Sequence, residues 1–327
     1  MKPASRDTTI ASGKEAESNQ MSVMQPLPKK PNVVASEVQG LPSTGPAYVT
    51  VIEPTSGWQR VNLRELVQYR DLLRFLTWRS IKVRYAQSAV GFGWAVIQPA
   101  FQIGMFTLVF GRLAAIDTDG VPHAAFYLAT MVAWTYFANA VTSATDSLVS
   151  NANMLGKIYF PRVILPLSAT LAALFDFAIA FFLSLGVLLA CGIMPAGNAV
   201  LLPLLVLLMA SCVFGISLWT SALAIQYRDV KHAMTFVVQL LMYASPVIYP
   251  TSRIPAELSW SGLTINPQRL YALNPMVGVI EGFRAALVGS RSMPYEWIFQ
   301  GTVVTAMLII GGLYYFRGRE KVFADVA

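Results

Sequence analysis

No residue between Tyr85 and Gly111 carries a charge, and the same holds from Ala124 to Thr145, from Ala233 to Ser252 and from Trp297 to Phe316. Asp176 alone interrupts the run from Val163 to Ala190, and no charge follows it until Arg228. An α-helix needs about 20 apolar residues to cross the hydrocarbon of a bilayer. Lipid offers no hydrogen-bond partner to exposed backbone, so such runs fold as spanning helices. The stretch between Asp176 and Arg228 holds two of them, separated at Gly192-Ile193-Met194-Pro195-Ala196-Gly197-Asn198. The expected fold class is an all-α membrane protein with six transmembrane helices. They fall at about 90–115, 124–146, 164–190, 199–225, 232–250 and 297–316.

Composition agrees. Charged residues make up 13% of the 327 and hydrophobic residues 55%, whereas a soluble domain carries roughly 25% charged residues. The net charge of +7 raises the question of nucleic acid. The basic residues, however, cluster just outside the apolar runs, as topology in a membrane requires, and no nucleic-acid partner is expected. The two cysteines, Cys191 and Cys212, lie in or beside apolar runs without metal-ligand spacing, so no disulfide framework is expected.

Lys and Arg in the short loops set the orientation. The segment before the first span carries seven. The loop after it carries Asp117 and Asp119 and neither Lys nor Arg. Lys157 and Arg162 follow the second span, Arg228 and Lys231 the fourth, and Arg317, Arg319 and Lys321 the last. The alternation puts both termini in the cytoplasm of a multi-pass protein of the cytoplasmic (inner) membrane. Region 251–296 then lies outside; it holds four arginines, but long loops obey the rule poorly.

Residues 1–57, rich in Pro, Ser, Thr and charge, read as a disordered cytoplasmic tail. Tyr48-Val49-Thr50-Val51-Ile52 has the composition of one short strand. No apolar segment follows Lys2, so the tail is not a secretory signal. A transmembrane domain then covers 58–320. It opens with a basic, roughly amphipathic helix at about 60–85, in which Arg60, Arg64, Arg70, Arg74, Arg79, Lys82 and Arg84 are interleaved with Leu66, Leu73, Trp78 and Ile81. Such a helix lies in the membrane interface, its arginines on lipid phosphates. On the outer side, Ile254 to Leu273 has too few apolar residues to span and fits a re-entrant or surface hairpin. Met276 to Val288 reads as a short amphipathic helix on which Glu281 and Arg284, three apart, share a face.

The chain lacks a G-x-x-x-x-G-K-[ST] phosphate loop and any H-E-x-x-H pattern. Its two histidines, His123 and His232, fall on opposite sides of the predicted membrane. Asp176 is the one carboxylate within a span. A charge at mid-bilayer costs about 2.5–3.5 kcal/mol on insertion scales, so it faces the bundle interior. A clamp to Ser, Thr or backbone of a neighbouring helix fits it better than a relay, for which the sequence offers no basic partner. Aromatic residues crowd spans 1, 2 and 5. Phe101, Phe106, Tyr136, Phe137, Phe236 and Tyr243 are candidates to line a path, against the alternative of packing or interface anchoring.

Several segments resemble ABC-2 type permeases that export lipid-linked polysaccharides. They are Leu66 to Tyr85, Gly91-Phe92-Gly93-Trp94-Ala95-Val96-Ile97-Gln98-Pro99, Lys157-Ile158-Tyr159-Phe160-Pro161-Arg162-Val163-Ile164-Leu165-Pro166, Tyr227-Arg228-Asp229-Val230, and Leu273-Asn274-Pro275-Met276 with Glu281-Gly282-Phe283-Arg284. They occur in family order across 60–320, and the tail 1–57 lies outside the resemblance.

The resemblance implies a homodimeric transport subunit, not an enzyme. Each copy would dock a separate ATP-binding cassette subunit, which holds the ATP and Mg that this chain, binding no cofactor, does not. It implies an ATPase-coupling helix between spans 2 and 3, with Asn151, Asn153, Leu155, Lys157, Ile158 and Tyr159. It implies a polyprenyl-diphosphate-linked glycan such as O-antigen as substrate, with Arg79, Lys82 and Arg84 at the cytoplasmic entrance and Glu281 and Arg284 in the outer segment. Three alternatives stand beside it. One is an ABC-2 permease for a teichoic-acid-type polymer, capsule polysaccharide or drug. Another is a membrane enzyme of lipid-linked sugar assembly, which requires clustered Asp, Glu or His. The third is a secondary transporter, which requires paired intramembrane charges.

Overall fold

A computed structural model describes residues 63–86, 90–157, 159–255, 257–260, 263–289, 291–320 and 323, with backbone alone at 63–65, 92, 258–260 and 263–265. The expected tail 1–57 with its short strand, Arg60 and Ile158 lie outside the described residues.

The basic segment forms α1 (Leu63–Gln68) and α2 (Arg70–Tyr85), broken at Tyr69 rather than continuous. The first apolar run is α3 (Trp94–Phe106), which carries Pro99 and continues in wider π turns to Leu113. α4 (His123–Thr145) follows, then the single turns α5 (Ser147–Ser150) and α6 (Ala152–Leu155). α7 (Ile164–Ala190) and α8 (Leu202–Ala224) are the next two long helices. Among the described residues five helices are long and apolar enough to cross a membrane: Trp94–Leu113, His123–Thr145, Ile164–Ala190, Gly197–Ala224 and Tyr295–Arg319.

The expected fifth span is different. α9 (Asp229–Tyr243) has 15 residues, about 22 Å of rise, and the chain then runs irregularly through 244–250. Pro246 and Pro250 explain why helix stops there. Ser245, Val247 and Ile248 are buried, and the irregular backbone finds partners. Tyr127 Oη donates to the Ile248 carbonyl at 3.2 Å, and Asn274 Nδ2 to Ser245 Oγ at 2.9 Å. Non-helical backbone is tolerated at membrane depth when protein encloses it in this way.

A small antiparallel hairpin follows, β1 (Leu258–Trp260) with β2 (Leu263–Ile265), and then α10 (Pro267–Tyr271) and α11 (Pro275–Leu287). Proline sits in the first turn of both helices, where its missing N–H costs nothing. Asn274 caps α11 by accepting from Met276 N at 3.1 Å. The amphipathic reading of this helix is corrected here: all 13 residues of α11 are buried. It has no water face because α4, α8 and α12 (Tyr295–Arg319) close around it.

α4 is the hub, packed by α3, α7, α8, α9 and α11. Ala125, Ala129 and Ala133 repeat every fourth residue on it and are buried, letting neighbouring backbones approach. Phe177 of α7 sits edge-on to Tyr136 at 5.6 Å and to Phe283 of α11 at 6.1 Å. A second apolar cluster joins Leu76 of α2, Leu148, Leu155, Phe160, Leu218 and Phe316 at the end of the bundle where Lys157, Arg162, Arg228 and Arg319 gather. We call this the basic end.

Candidate functional site

At the basic end the segment between α4 and α7 is two single turns. Leu155 and Phe160 are 5% and 4% exposed and fix the turn in the second cluster. Asn153, Lys157 and Tyr159 project outward, Tyr159 with 82% of its surface free. The segment is tied to two other elements. Arg79 of α2 donates to Asn151 Oδ1 at 3.3 Å, and Lys231 of α9 pairs with Asp146 at 2.9 Å. The expected coupling helix is therefore one turn on a braced platform, and Arg79 is engaged with it.

The other two entrance candidates diverge. Lys82 is exposed and lies over the Trp78 ring, 5.5 Å from its centroid. Arg84 reaches Asp176, whose other carboxylate oxygen accepts from Tyr85 Oη. The clamp to Ser, Thr or backbone expected for Asp176 is thus overturned: its partners are a guanidinium and a phenol. The sequence hid this because 92 residues separate Arg84 from Asp176 and because α2, read as lying flat, packs against α7. Asp176 is 12 residues into α7, about 18 Å from its start. Burial raises the Tyr85 phenol above its ordinary value, the Arg84 charge offsetting part of the shift, so Tyr85 stays a protonated donor.

Arg84, Tyr85 and Asp176 line a chamber of about 350 Å³ with Trp94, Gln98 and Asn139. Thr135 Oγ1, on the α4 wall of the chamber, donates to Gln102 Oε1 of α3 at 3.3 Å. Asn139, in the middle of α4, is exposed into this space. Polar side chains within spanning helices are costly against lipid and belong in water-filled or ligand-filled cavities. Gln98 and Asn139 escaped the sequence reading, since lone amides within apolar runs gave no motif.

The aromatic candidates divide. Phe101, Phe236 and Tyr243 are 72%, 61% and 58% exposed. Phe106 packs on Phe110 and Tyr127. Phe137 lies in the core beside Trp134. Tyr136 is buried, its hydroxyl donating to the Thr170 carbonyl at 3.4 Å.

At the opposite end, Glu281 and Arg284 do pair, at 2.8 Å and almost fully buried. Glu281 Oε1 also accepts from Thr251 N and Oγ1 at 3.2 and 2.7 Å, and Arg284 Nη2 donates to the Pro246 carbonyl at 2.6 Å. This pair ties α11 to the irregular chain after α9. Arg253 and Arg291 pair with Asp117 and Asp119 at 3.6 and 3.3 Å. Three of the four arginines that ran against the loop-charge rule are therefore neutralised locally. His123 bonds the Ile116 carbonyl at 3.0 Å, and His232 is exposed near the start of α9 at the basic end.

Comparison with known proteins adds the family. The model of the ABC-2 type transporter family matches residues 71–288. The O-antigen export system permease protein RfbA of Myxococcus xanthus is 28% identical over 264 residues, 80% of this chain and 98% of that protein. A protein of the same name from Klebsiella pneumoniae is 26% identical, covering 78% of this chain and 95% of the relative. The capsule polysaccharide export inner-membrane protein CtrC of Neisseria meningitidis is 25% identical over 80% of this chain and 94% of its own. A match running from the second residue of α2 to the end of α11 covers two thirds of the sequence and includes the braced turns, the chamber and the buried pair, so the chain belongs to the ABC-2 type transporter family.

Proposed function

We propose that this chain is the permease half-subunit of an ATP-driven exporter that moves a lipid-linked, polyprenyl-diphosphate polysaccharide such as O-antigen across the cytoplasmic membrane. Two copies pair, and each docks an ATP-binding cassette subunit that holds ATP and Mg. Both termini lie in the cytoplasm. α9 with residues 244–250 makes a sixth, broken crossing, and the segment through α10 and α11 re-enters from outside.

The observation that carries this reading is the platform at the basic end. Asn153, Lys157 and Tyr159 present a small exposed surface, while Leu155 and Phe160 root it in the helices. Force applied by a partner at that surface passes through Arg79–Asn151 to α2 and through Lys231–Asp146 to α9. The names of the relatives, O-antigen and capsule polysaccharide export, favour a glycan cargo. Arg79 and Lys82, on the exposed face of α2, supply positive charge for a diphosphate at the membrane surface. The Arg84–Asp176 pair is also the feature that a secondary transporter needs, but membership of the ABC-2 family decides for coupling to an ATPase.

The test is co-purification with candidate ATP-binding subunits, with ATP hydrolysis and polymer export measured for wild type and for Lys157→Ala with Tyr159→Ala. Stable recruitment of an ATPase, with hydrolysis and export that fall in the double variant, supports the reading. A chain that recruits no ATPase defeats it.

A further inference from the structure

A second cavity, of about 460 Å³, begins where the chamber ends. Pro99 and Ala180 line both. The order of the lining residues is consistent along three helices. On α3 the chamber takes residues 94–99 and the second cavity continues to Arg112. On α7 the chamber takes 173–180 and the second cavity 180–187. On antiparallel α4 the chamber takes 132–143 and the second cavity 124 and 128. The two are therefore end to end, the chamber toward the basic end.

Their chemistry is opposite. The chamber offers a guanidinium, a carboxylate, two amides and the half-exposed Trp94 ring. The second cavity is an apolar groove lined by Ile103, Gly104, Leu128, Leu183 and Val187. From Pro99 to Arg112 it follows the helix for about 20 Å. A polar compartment opening into a long apolar slot matches an amphiphile whose head enters from the basic end and whose tail runs along the helices toward the opposite end.

We infer that chamber and groove form one lateral site for a polyisoprenyl diphosphate sugar: the diphosphate on Arg84, the first sugar's hydroxyls on Asp176, Asn139 and Gln98, and the isoprenoid tail in the groove. This rests on the lipid-linked reading above and gives that substrate a place on a single subunit. Asp176 holds Arg84 when the chamber has no ligand. The incoming diphosphate, an anion of higher charge, takes over the guanidinium, since planar Arg pairs bidentately with phosphate, and Asp176 is released to the sugar. Binding so described is an exchange of partners, in which Asp176 keeps the Tyr85 hydroxyl as a donor and takes the sugar's hydroxyls in place of the guanidinium.

The test uses the full-length chain in phosphatidylcholine nanodiscs and geranylgeranyl diphosphate, which has the diphosphate and a tail but no sugar. Arg84→Gln weakens binding about tenfold or more, the loss of a charge-assisted hydrogen bond. Asp176→Asn acts in the opposite direction and tightens binding several-fold, because it removes the anion that competes for Arg84. Gly104→Phe weakens binding about tenfold by filling the groove, where a Cβ meets nothing within 4 Å, and a thermal melt beside wild type checks that the fold is intact. Geranylgeraniol, without the diphosphate, binds Arg84→Gln and wild type alike.

Equal binding by wild type, Gly104→Phe and Asp176→Asn overturns the site. So does displacement of the probe by phosphatidylethanolamine as effective as its displacement by unlabelled diphosphate, which makes the occupant an ordinary phospholipid. Either result with ATPase recruitment and export intact defeats this site alone and leaves the exporter standing. Loss of recruitment and export in the wild-type chain defeats the exporter reading itself.

Discussion

Glu281 and Arg284, one turn apart on a helix with no exposed residue, form an ion pair at 2.8 Å that is 4% and 3% exposed. The pair bonds outward to Thr251 and Pro246, and the Arg284 guanidinium lies 3.9 Å from the Phe126 ring centroid on α4. Removing one partner of such a pair strands the other charge, at about 3–5 kcal/mol. Glu281→Gln is therefore expected to cost most of the stability available to the α11 segment, read as a lower unfolding temperature of the purified chain. Glu281→Leu with Arg284→Met, which removes both charges at similar volume, recovers much of the loss. A single variant as stable as wild type refutes the role of the pair.

The pairs at the same end that face solvent behave differently. Arg253–Asp117 has side chains 57% and 63% exposed, where Coulomb attraction is weak and salt screens it. Asp117→Asn is expected to change stability by less than about 1 kcal/mol, and raising salt to 1 M erases what difference there is. A loss as large as that of Glu281→Gln contradicts this ranking.

Gly278 on α11 packs directly on α12. A Cβ there would lie 2.8 Å from the carbonyl carbon and oxygen of Trp297, backbone atoms that have no rotamer to yield. Gly278→Ala is expected to destabilise by about 1–3 kcal/mol through overpacking. Gly186→Ala on α7, where a Cβ meets nothing within 4 Å, is neutral or slightly stabilising through helix propensity. Thermal melts of the two variants side by side check the contrast.

These contrasts also mark what the sequence discloses. Uncharged length placed α3, α4, α7, α8 and α12 within a few residues, because lipid imposes a length requirement that composition reports directly. The same rule did not foresee that helix occupies only part of 232–250. An uncharged run does not by itself make one spanning helix: Pro246 and Pro250 stop the helix and protein encloses the remainder. The i,i+3 pairing of Glu281 with Arg284 was legible from helical geometry, yet its burial was not, because two charges on one face look like a water-facing stripe. Arg84–Asp176 was illegible for a different reason. It joins α2 to α7 across 92 residues, and nothing local in either segment records that packing. The polar lining of the chamber was equally hidden, since Gln98 and Asn139 become a set only when α3 and α4 face each other.

The platform at the basic end separates support from contact within a few residues. Leu155 is 5% exposed and packs in the cluster shared by α2, α5 and α8, whereas Tyr159 is 82% exposed. Leu155→Ala removes buried methyl groups and leaves a cavity, which costs about 2–5 kcal/mol and lowers the unfolding temperature of the isolated permease. Tyr159→Ala removes a ring that touches little within its own chain, so stability stays within about 0.5 kcal/mol. The ATPase rate of the assembled complex falls in that variant. Only a partner docked on the ring makes its loss visible in hydrolysis and invisible in melting. If Tyr159→Ala melts early, or if it melts normally and hydrolyses ATP at the wild-type rate, the docking surface lies elsewhere on the basic end.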